Sequence, residues 1–164
     1  MLIYLRHSDD RGEDVFRHDR RLNDRGRKMA AKEAKHLIEK YGHPDVVFVS
    51  PFRRAVETLD SMTKHFEHPV EIHRDPRIAQ CLSDRQRRDP SISPETLEVI
   101  VIDEDRGMFK QRVAEHIAQA RRRAQEGSMI WCITHQAVVE EVAAQCEVKI
   151  SGDLDFLDHV VMLR

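Results

Sequence analysis

Cysteine is scarce in this chain, and the few residues present are scattered. The sequence of 164 residues contains three cysteines, Cys81, Cys132 and Cys146, and no two of them are close together. A disulfide framework usually has an even set of cysteines, and a zinc site of the CxxC kind needs close pairs, so both are disfavoured. The ten histidines form no HxxxH or HExxH pattern. We therefore expect no metal site and no cofactor.

Long apolar runs and a large net charge are also missing. No apolar stretch reaches the roughly 18 residues of a membrane-spanning helix. No basic segment precedes a long apolar core near residue 1, so a secretory signal is not predicted and a cytoplasmic location is expected. The net charge is −2, which gives no overall attraction to nucleic acid or to an acidic membrane surface. We expect neither as a partner.

Predicted strands alternate with predicted helices along the chain. The strands lie at 2–5, 44–50, 69–73, 128–134 and 159–164, and the helices at 22–42, 51–66, 108–127 and 136–146. Residues 8–21 and 74–94 are mostly polar and are predicted to be irregular, whereas 96–103 fit either a strand or a helix. The length suits a single domain over 1–164. The alternation predicts an α/β fold, a three-layer α/β/α sandwich with a mostly parallel central sheet.

Some helix ends can be predicted from single residues. Asn23 is a suitable N-cap for the first helix, and Gly42 is a suitable residue to end it. Ser50 followed by Pro51 predicts the start of the second helix, with the serine as N-cap and the proline in the first helical position.

Three predicted strands end in side chains that suit a phosphate group. Arg6 and His7 follow the first strand, Ser50 ends the second with Arg54 one helical turn later, and His135 follows the fourth. In parallel sheets ligands bind beyond the carboxyl ends of the strands, so these residues are expected to lie close together. Guanidinium groups and helix N-termini bind phosphate oxygens, and a neutral imidazole is a nucleophile.

Four segments, in their order along the chain, resemble the motifs of a known family. "LIYLRHS", "RRLNDRGRKMA", "SPFRRAVET" and "CITHQAV" are similar to those of the histidine phosphatase superfamily, which has the phosphoglycerate-mutase-like fold. The resemblance implies that His7 attacks phosphorus and becomes a phosphohistidine, without a metal. It also implies that Arg6, Arg54 and His135 complete the catalytic set and that Arg20 contacts the phosphate.

The chain departs from that family at several positions near the predicted site. Ser8 and Gln136 replace the glycines that usually follow the two histidines, and both are predicted to add polar contacts to the substrate. Gln80 occupies the position of the usual glutamate that protonates the leaving group, and an amide cannot donate that proton. Asp84 is the first candidate for a replacement acid, and Asp9 and Asp10 are the alternatives.

The short chain and the missing glutamate resemble the small phosphohistidine phosphatases of the superfamily. Their leaving group is an imidazole, which departs more easily than an alcohol. The leading hypothesis is a metal-independent phosphatase that works through phospho-His7 on a phosphohistidine protein or another phosphomonoester. Two alternatives remain open: a phosphatase for small phosphoesters, and a phosphate-binding module of weak activity. Mutase activity is disfavoured because the chain is too short for a segment that covers the site.

Overall fold

Five strands form one sheet at the centre of the molecule. The computed structural model describes residues 1–11, 20–81, 92, 94, 96, 104–150 and 152–162. In this part of the chain the strands are β1 (Leu2–Arg6), β2 (Val46–Val49), β3 (Glu71–Arg74), β4 (Ile130–Thr134) and β5 (His159–Met162). Their order is β3-β2-β4-β1-β5, and only β5 runs antiparallel to its neighbour, β1. The predicted, mostly parallel sheet is confirmed.

Helices cover both faces of the sheet. The described helices are α1 (Asp24–Tyr41), α2 (Arg53–Thr63), α3 (Arg106–Gln125) and α4 (Gln136–Gln145), and a 3-10 turn spans Pro76–Ile78. Successive residues of β1 face opposite ways, as the pleat of a strand requires. Ile3 and Leu5 pack in a cluster with α1 and α2, whereas Leu2 and Tyr4 pack in a second cluster with α3 and α4. This arrangement confirms the three-layer α/β/α sandwich.

The predicted ends of α1 are correct, but the predicted start of α2 is wrong. The side chain of Asn23 accepts a hydrogen bond from the backbone N–H of Gly26, and Gly42 ends the helix with φ of 98°. For α2, Phe52 rather than Ser50 is the N-cap, and the first helical residue is Arg53 rather than Pro51. The physical reason is that the backbone of Phe52 is extended, with φ of −65° and ψ of 138°, so the helix cannot include Phe52 or Pro51.

Smaller differences occur at other element ends. Helix α3 begins before the predicted residue 108, because Asp105 caps it by accepting a hydrogen bond from the N–H of Met108 at 2.9 Å. Strand β3 begins two residues later than predicted, and the described part of β5 ends at Met162. The ambiguous segment 96–103 lies outside the described residues, except for Thr96. Of the helices that the structure describes, none has both the length and the apolar composition to cross a membrane.

Candidate active site

The carboxyl ends of three neighbouring strands bring the predicted site together. Strand β4 lies between β1 and β2, so the residues that follow these strands meet at one edge of the sheet. The N–H of His7 donates to the carbonyl oxygen of Thr134 at 2.8 Å, and the N–H of Ser50 donates to that of Ile133 at 2.9 Å. These bonds extend the parallel pairing by one residue beyond the strands and fix where His7 and Ser50 leave the sheet.

His7 is held in the tautomer in which Nε2 carries no proton. Its Nδ1 lies 2.8 Å from the carbonyl oxygen of Ser8, which can only accept, so Nδ1 carries the hydrogen and donates it. Nε2 then accepts a hydrogen bond from Nε of Arg54 at 3.0 Å. Burial and the charge of Arg54 lower the pKa of His7 well below its usual value, and Arg6 and Arg20 lower it further. The imidazole is therefore neutral at physiological pH.

His135 faces His7 across the same small volume. The two ring centroids are 5.3 Å apart with the ring planes inclined at 64°. His135 is the N-cap residue of α4, its Nδ1 accepts from Nη2 of Arg54 at 3.1 Å, and its Nε2 donates to the Ser50 hydroxyl at 2.7 Å. Its pKa is also lowered well below the usual value, by burial first and by the charge of Arg54 second. The helix terminus adds a favourable place for an anion.

Arg54 connects the two imidazoles and is itself almost fully buried. It lies in the first turn of α2, with 4% of its surface exposed, and its guanidinium carbon lies 4.9 Å from the ring centroid of Phe52. Nη2 also donates to Oε1 of Gln80, so the amide at the position of the usual glutamate does point into the site. A buried cation shared by two neutral imidazoles is a strong attractor for a tetrahedral anion.

Arg6 immediately precedes His7 and adds another guanidinium group to the cluster. Its Nη1 donates to the carbonyl oxygen of Leu154 at 2.5 Å, and its guanidinium carbon lies 4.5 Å from the ring centroid of Phe156. The Phe156 ring also lies 5.9 Å from that of His7. Nε of Arg6 is buried and makes no hydrogen bond to the described residues. Sequence reasoning missed Leu154 and Phe156, because neither belongs to a motif.

The loop after His7 carries two carboxylates, and only one of them faces Arg54. Asp10 is buried, and its Oδ2 lies 3.3 Å from Nε of Arg20 and 3.8 Å from Nε of Arg54. Asp9 turns away and accepts three hydrogen bonds from Arg11, which lower its pKa below the usual value although burial acts in the opposite direction. Arg20 is thus joined to the cluster through Asp10.

Three other residues predicted for the site have different surroundings. The hydroxyl of Ser8 is fully buried and donates to the carbonyl oxygen of Gly26 at 2.7 Å, so it ties the loop to α1. The amide of Gln136 donates to Glu140 at 2.8 Å, one turn further along α4. The structure brings neither side chain into the cluster. Asp84 lies outside the described residues.

A second buried polar network supports the turn that carries Gln80. Arg112 binds Glu104 through two hydrogen bonds of 2.6 and 2.8 Å and donates to the carbonyl oxygens of Arg77 and Ala79 at 2.5 and 3.0 Å. In the same region Asp75 accepts from His116 Nδ1 at 2.9 Å. Because buried polar networks of this kind are rigid when every member is paired, Gln80 is presented from a fixed backbone. Among the described residues, no group of three or more His, Cys, Asp or Glu side chains is arranged to hold a metal ion.

Comparison with known proteins identifies a family and a set of structural relatives. The model of the histidine phosphatase superfamily (branch 1) matches residues 2–153. A comparison with curated proteins found no match. Among solved structures, the protein histidine phosphatase SixA complexed with tungstate is 20% identical, with 87% of this chain and 74% of that chain covered and a TM-score of 0.58.

Two phosphatases of small molecules have a similar fold. The mycobacterial glucosyl-3-phosphoglycerate phosphatase Rv2419c is 19% identical over 96% of this chain and 87% of that chain, with a TM-score of 0.67. The ecdysone phosphate phosphatase from Bombix mori, in complex with tungstate, is 13% identical over 96% of this chain and 86% of that chain, with a TM-score of 0.71. At these identities the likeness establishes the fold, not the substrate.

Proposed function

The chain belongs to the histidine phosphatase superfamily and is a phosphatase, and we propose that it works by transferring a phosphoryl group to Nε2 of His7 and from there to water. The observation that carries this proposal is the tautomer of His7. Its proton is held on Nδ1 by the Ser8 carbonyl oxygen, so Nε2 carries no proton and accepts from Arg54, with the imidazole of His135 nearby. A neutral imidazole oriented in this way is a nucleophile that needs no separate base.

In the first step a phosphate oxygen of the substrate replaces His7 as the acceptor for Arg54. Nε2 of His7 then forms a bond to phosphorus while the bond between phosphorus and the leaving group breaks, and the bonding electrons go with that group. Arg6 and Arg54 neutralise the charge on the phosphoryl oxygens. His135 is within reach to contact the same oxygens, since its ring lies 5.3 Å from that of His7. No step in this scheme requires a metal.

In the second step water forms a bond to phosphorus, the electron pair of the N–P bond returns to Nε2, and the proton that the water loses goes to solvent. The Nδ1 proton stays on the ring throughout, because the Ser8 carbonyl oxygen holds it. His7 therefore leaves as a neutral imidazole rather than as an anion, which makes the phosphohistidine easy to hydrolyse.

We further propose that the leaving group is itself an imidazole, carried by a phosphohistidine protein. The amide of Gln80 takes the place of a carboxylic acid and accepts from Arg54, so it has no proton to give to a departing alkoxide. A leaving imidazole needs less help of this kind. SixA, named as a protein histidine phosphatase, supports this choice, whereas the glucosyl-3-phosphoglycerate and ecdysone phosphate phosphatases represent the small-molecule alternative. Three free cysteines fit a reducing cytoplasm as the location.

A substrate panel tests both parts of the proposal. Wild type, H7A and the control H36A, which replaces an exposed histidine of α1, are assayed on a phosphohistidine protein and on a set of sugar phosphates, with and without a chelator. We expect H7A to lose at least about 10⁴-fold in kcat/KM, whereas H36A and the chelator have no effect and vanadate inhibits.

The panel also separates the alternatives. Full activity of H7A would contradict the covalent mechanism. Stronger turnover of sugar phosphates than of the phosphohistidine protein would contradict the proposed substrate and favour the small-molecule alternative. Tight phosphate binding with no turnover of any substrate would indicate a binding module.

A further inference from the structure

Two adjacent aspartates of the loop after β1 have different partners, although their side chains are identical. Asp9 is engaged by Arg11 through hydrogen bonds of 2.9, 3.0 and 3.0 Å and faces away from the cluster. Asp10 is 4% exposed, and its Oδ2 faces Nε of Arg20 at 3.3 Å and Nε of Arg54 at 3.8 Å. Only one of the two carboxylates therefore belongs to the site.

The backbone of the loop fixes this orientation. The N–H of Asn23 donates to the carbonyl oxygen of Asp9 at 3.3 Å, and a Cβ added at Gly26 would overlap that oxygen. The neighbouring residue, Ser8, is anchored on both sides, because its hydroxyl donates to the carbonyl oxygen of Gly26 and its N–H donates to the hydroxyl of Thr58 at 3.0 Å. With the chain held at residues 8 and 9, the side chain of Asp10 is directed toward Arg54.

Asp10 and the nucleophile His7 contact the same side chain, that of Arg54. Nε of Arg54 donates to Nε2 of His7 and is also the atom closest to the Asp10 carboxylate in their ion pair. The same nitrogen of Arg54 therefore contacts both the Asp10 carboxylate and Nε2 of His7, the atom that would carry the phosphoryl group. A carboxylate that faces two guanidinium groups is placed to accept a proton and has none to donate.

We propose that Asp10 is the general base for the second step, the hydrolysis of phospho-His7. The inference rests on the proposed covalent mechanism and adds a catalytic residue to it. Water forms a bond to phosphorus, the N–P bond breaks, its electron pair returns to Nε2 of His7, and the proton of the water passes to the Asp10 carboxylate. Asp10 releases this proton to solvent as phosphate leaves. The first step takes no proton from Asp10, which agrees with a leaving group that needs none.

Burst kinetics with p-nitrophenyl phosphate separate the two steps. Its leaving group departs as the p-nitrophenolate anion, so the first step needs no acid, and the coloured product reports formation of the phosphoenzyme directly. Wild type, D10N and the matched control D9N are mixed with the substrate in a stopped-flow instrument. We expect D10N to release one equivalent per site at the wild-type rate and then to turn over at least about 100-fold more slowly, whereas D9N behaves as wild type.

The outcomes distinguish a base from a positioning residue. If D10N slows the burst and the steady state in the same proportion, Asp10 merely orients the arginines and the inference is overturned; unchanged kinetics of D10N overturn it as well. D10A provides an independent test, because added formate should restore the slow hydrolysis in D10A without changing the burst, and absence of this rescue counts against a base. Failure of the covalent mechanism is recognised separately, since H7A would then keep wild-type turnover.

Discussion

The stability of the protein should depend on pH through its buried histidines. The pKa values of His7 and His135 are lowered well below the usual 6.5, in both cases by burial first and by Arg54 second. In the unfolded chain each imidazole binds a proton below about pH 6.5, whereas in the folded protein it does not. The unfolded state therefore binds more protons, so the free energy of unfolding rises with pH in this range and falls when the solution is acidified.

The expected size of the effect follows from the two protonation equilibria. Between pH 7.5 and 5.5 each of these histidines should remove about 1.4 kcal/mol from the free energy of unfolding, and the two together about 3 kcal/mol. His116 is also buried with a lowered pKa and should add to the loss. Burial raises the pKa of Glu33, which acts in the opposite direction.

Urea unfolding at the two pH values, in buffers free of phosphate, measures this loss. H7N should lose about 1.4 kcal/mol less than wild type on acidification, because one of the depressed groups has been removed. H36A, which replaces an exposed histidine, should show the wild-type loss. Equal stability of wild type at pH 7.5 and 5.5, or an H7N variant with the full wild-type loss, would refute the conclusion that the site imidazoles are neutral in the folded protein.

Three further substitutions test particular contacts. G26A should lower the free energy of unfolding by about 1–3 kcal/mol in urea titrations, because its Cβ overlaps the Asp9 carbonyl oxygen, and a variant as stable as wild type would contradict this packing. F156A should reduce kcat/KM about fivefold by removing the ring on which Arg6 lies, with F156Y retaining activity; equal activity of F156A and wild type would count against this role. Q80E should raise turnover of alkyl phosphates relative to p-nitrophenyl phosphate, since it adds an acid beside Arg54. An unchanged ratio of the two turnover rates would contradict the conclusion that the wild-type site lacks a proton donor.

The main part of the site could be predicted because it depends on strand order. Arg6 ends β1, His7 and His135 directly follow β1 and β4, and a parallel sheet brings the carboxyl ends of its strands to one edge. Arg54 could be placed in the same way, since it lies in the first turn of the helix after β2. These residues depend on local patterns of the sequence and on one rule of topology.

Contacts between distant loops could not be predicted in this way. Phe156 and Leu154 meet Arg6 from a loop about 150 residues away, and no periodicity or motif marks them. Ser50 was expected to cap α2 on its local sequence, but Phe52 is extended and takes the N-cap position, and the Ser50 hydroxyl contacts His135 from a distant part of the chain. The different orientations of Asp9 and Asp10 likewise depend on the contact of the loop with α1, which local sequence does not reveal.

The covalent mechanism is tested most directly by identifying the phosphorylated atom. Wild type, H7A and D10N are mixed with p-nitrophenyl phosphate, quenched with alkali within milliseconds to preserve phosphohistidine, digested and examined by mass spectrometry and ³¹P NMR. We expect one phosphoryl group on Nε2 of His7, with the largest amount in D10N and none in H7A. A phosphoryl group on any other residue, or turnover in H7A at the wild-type rate, would contradict it.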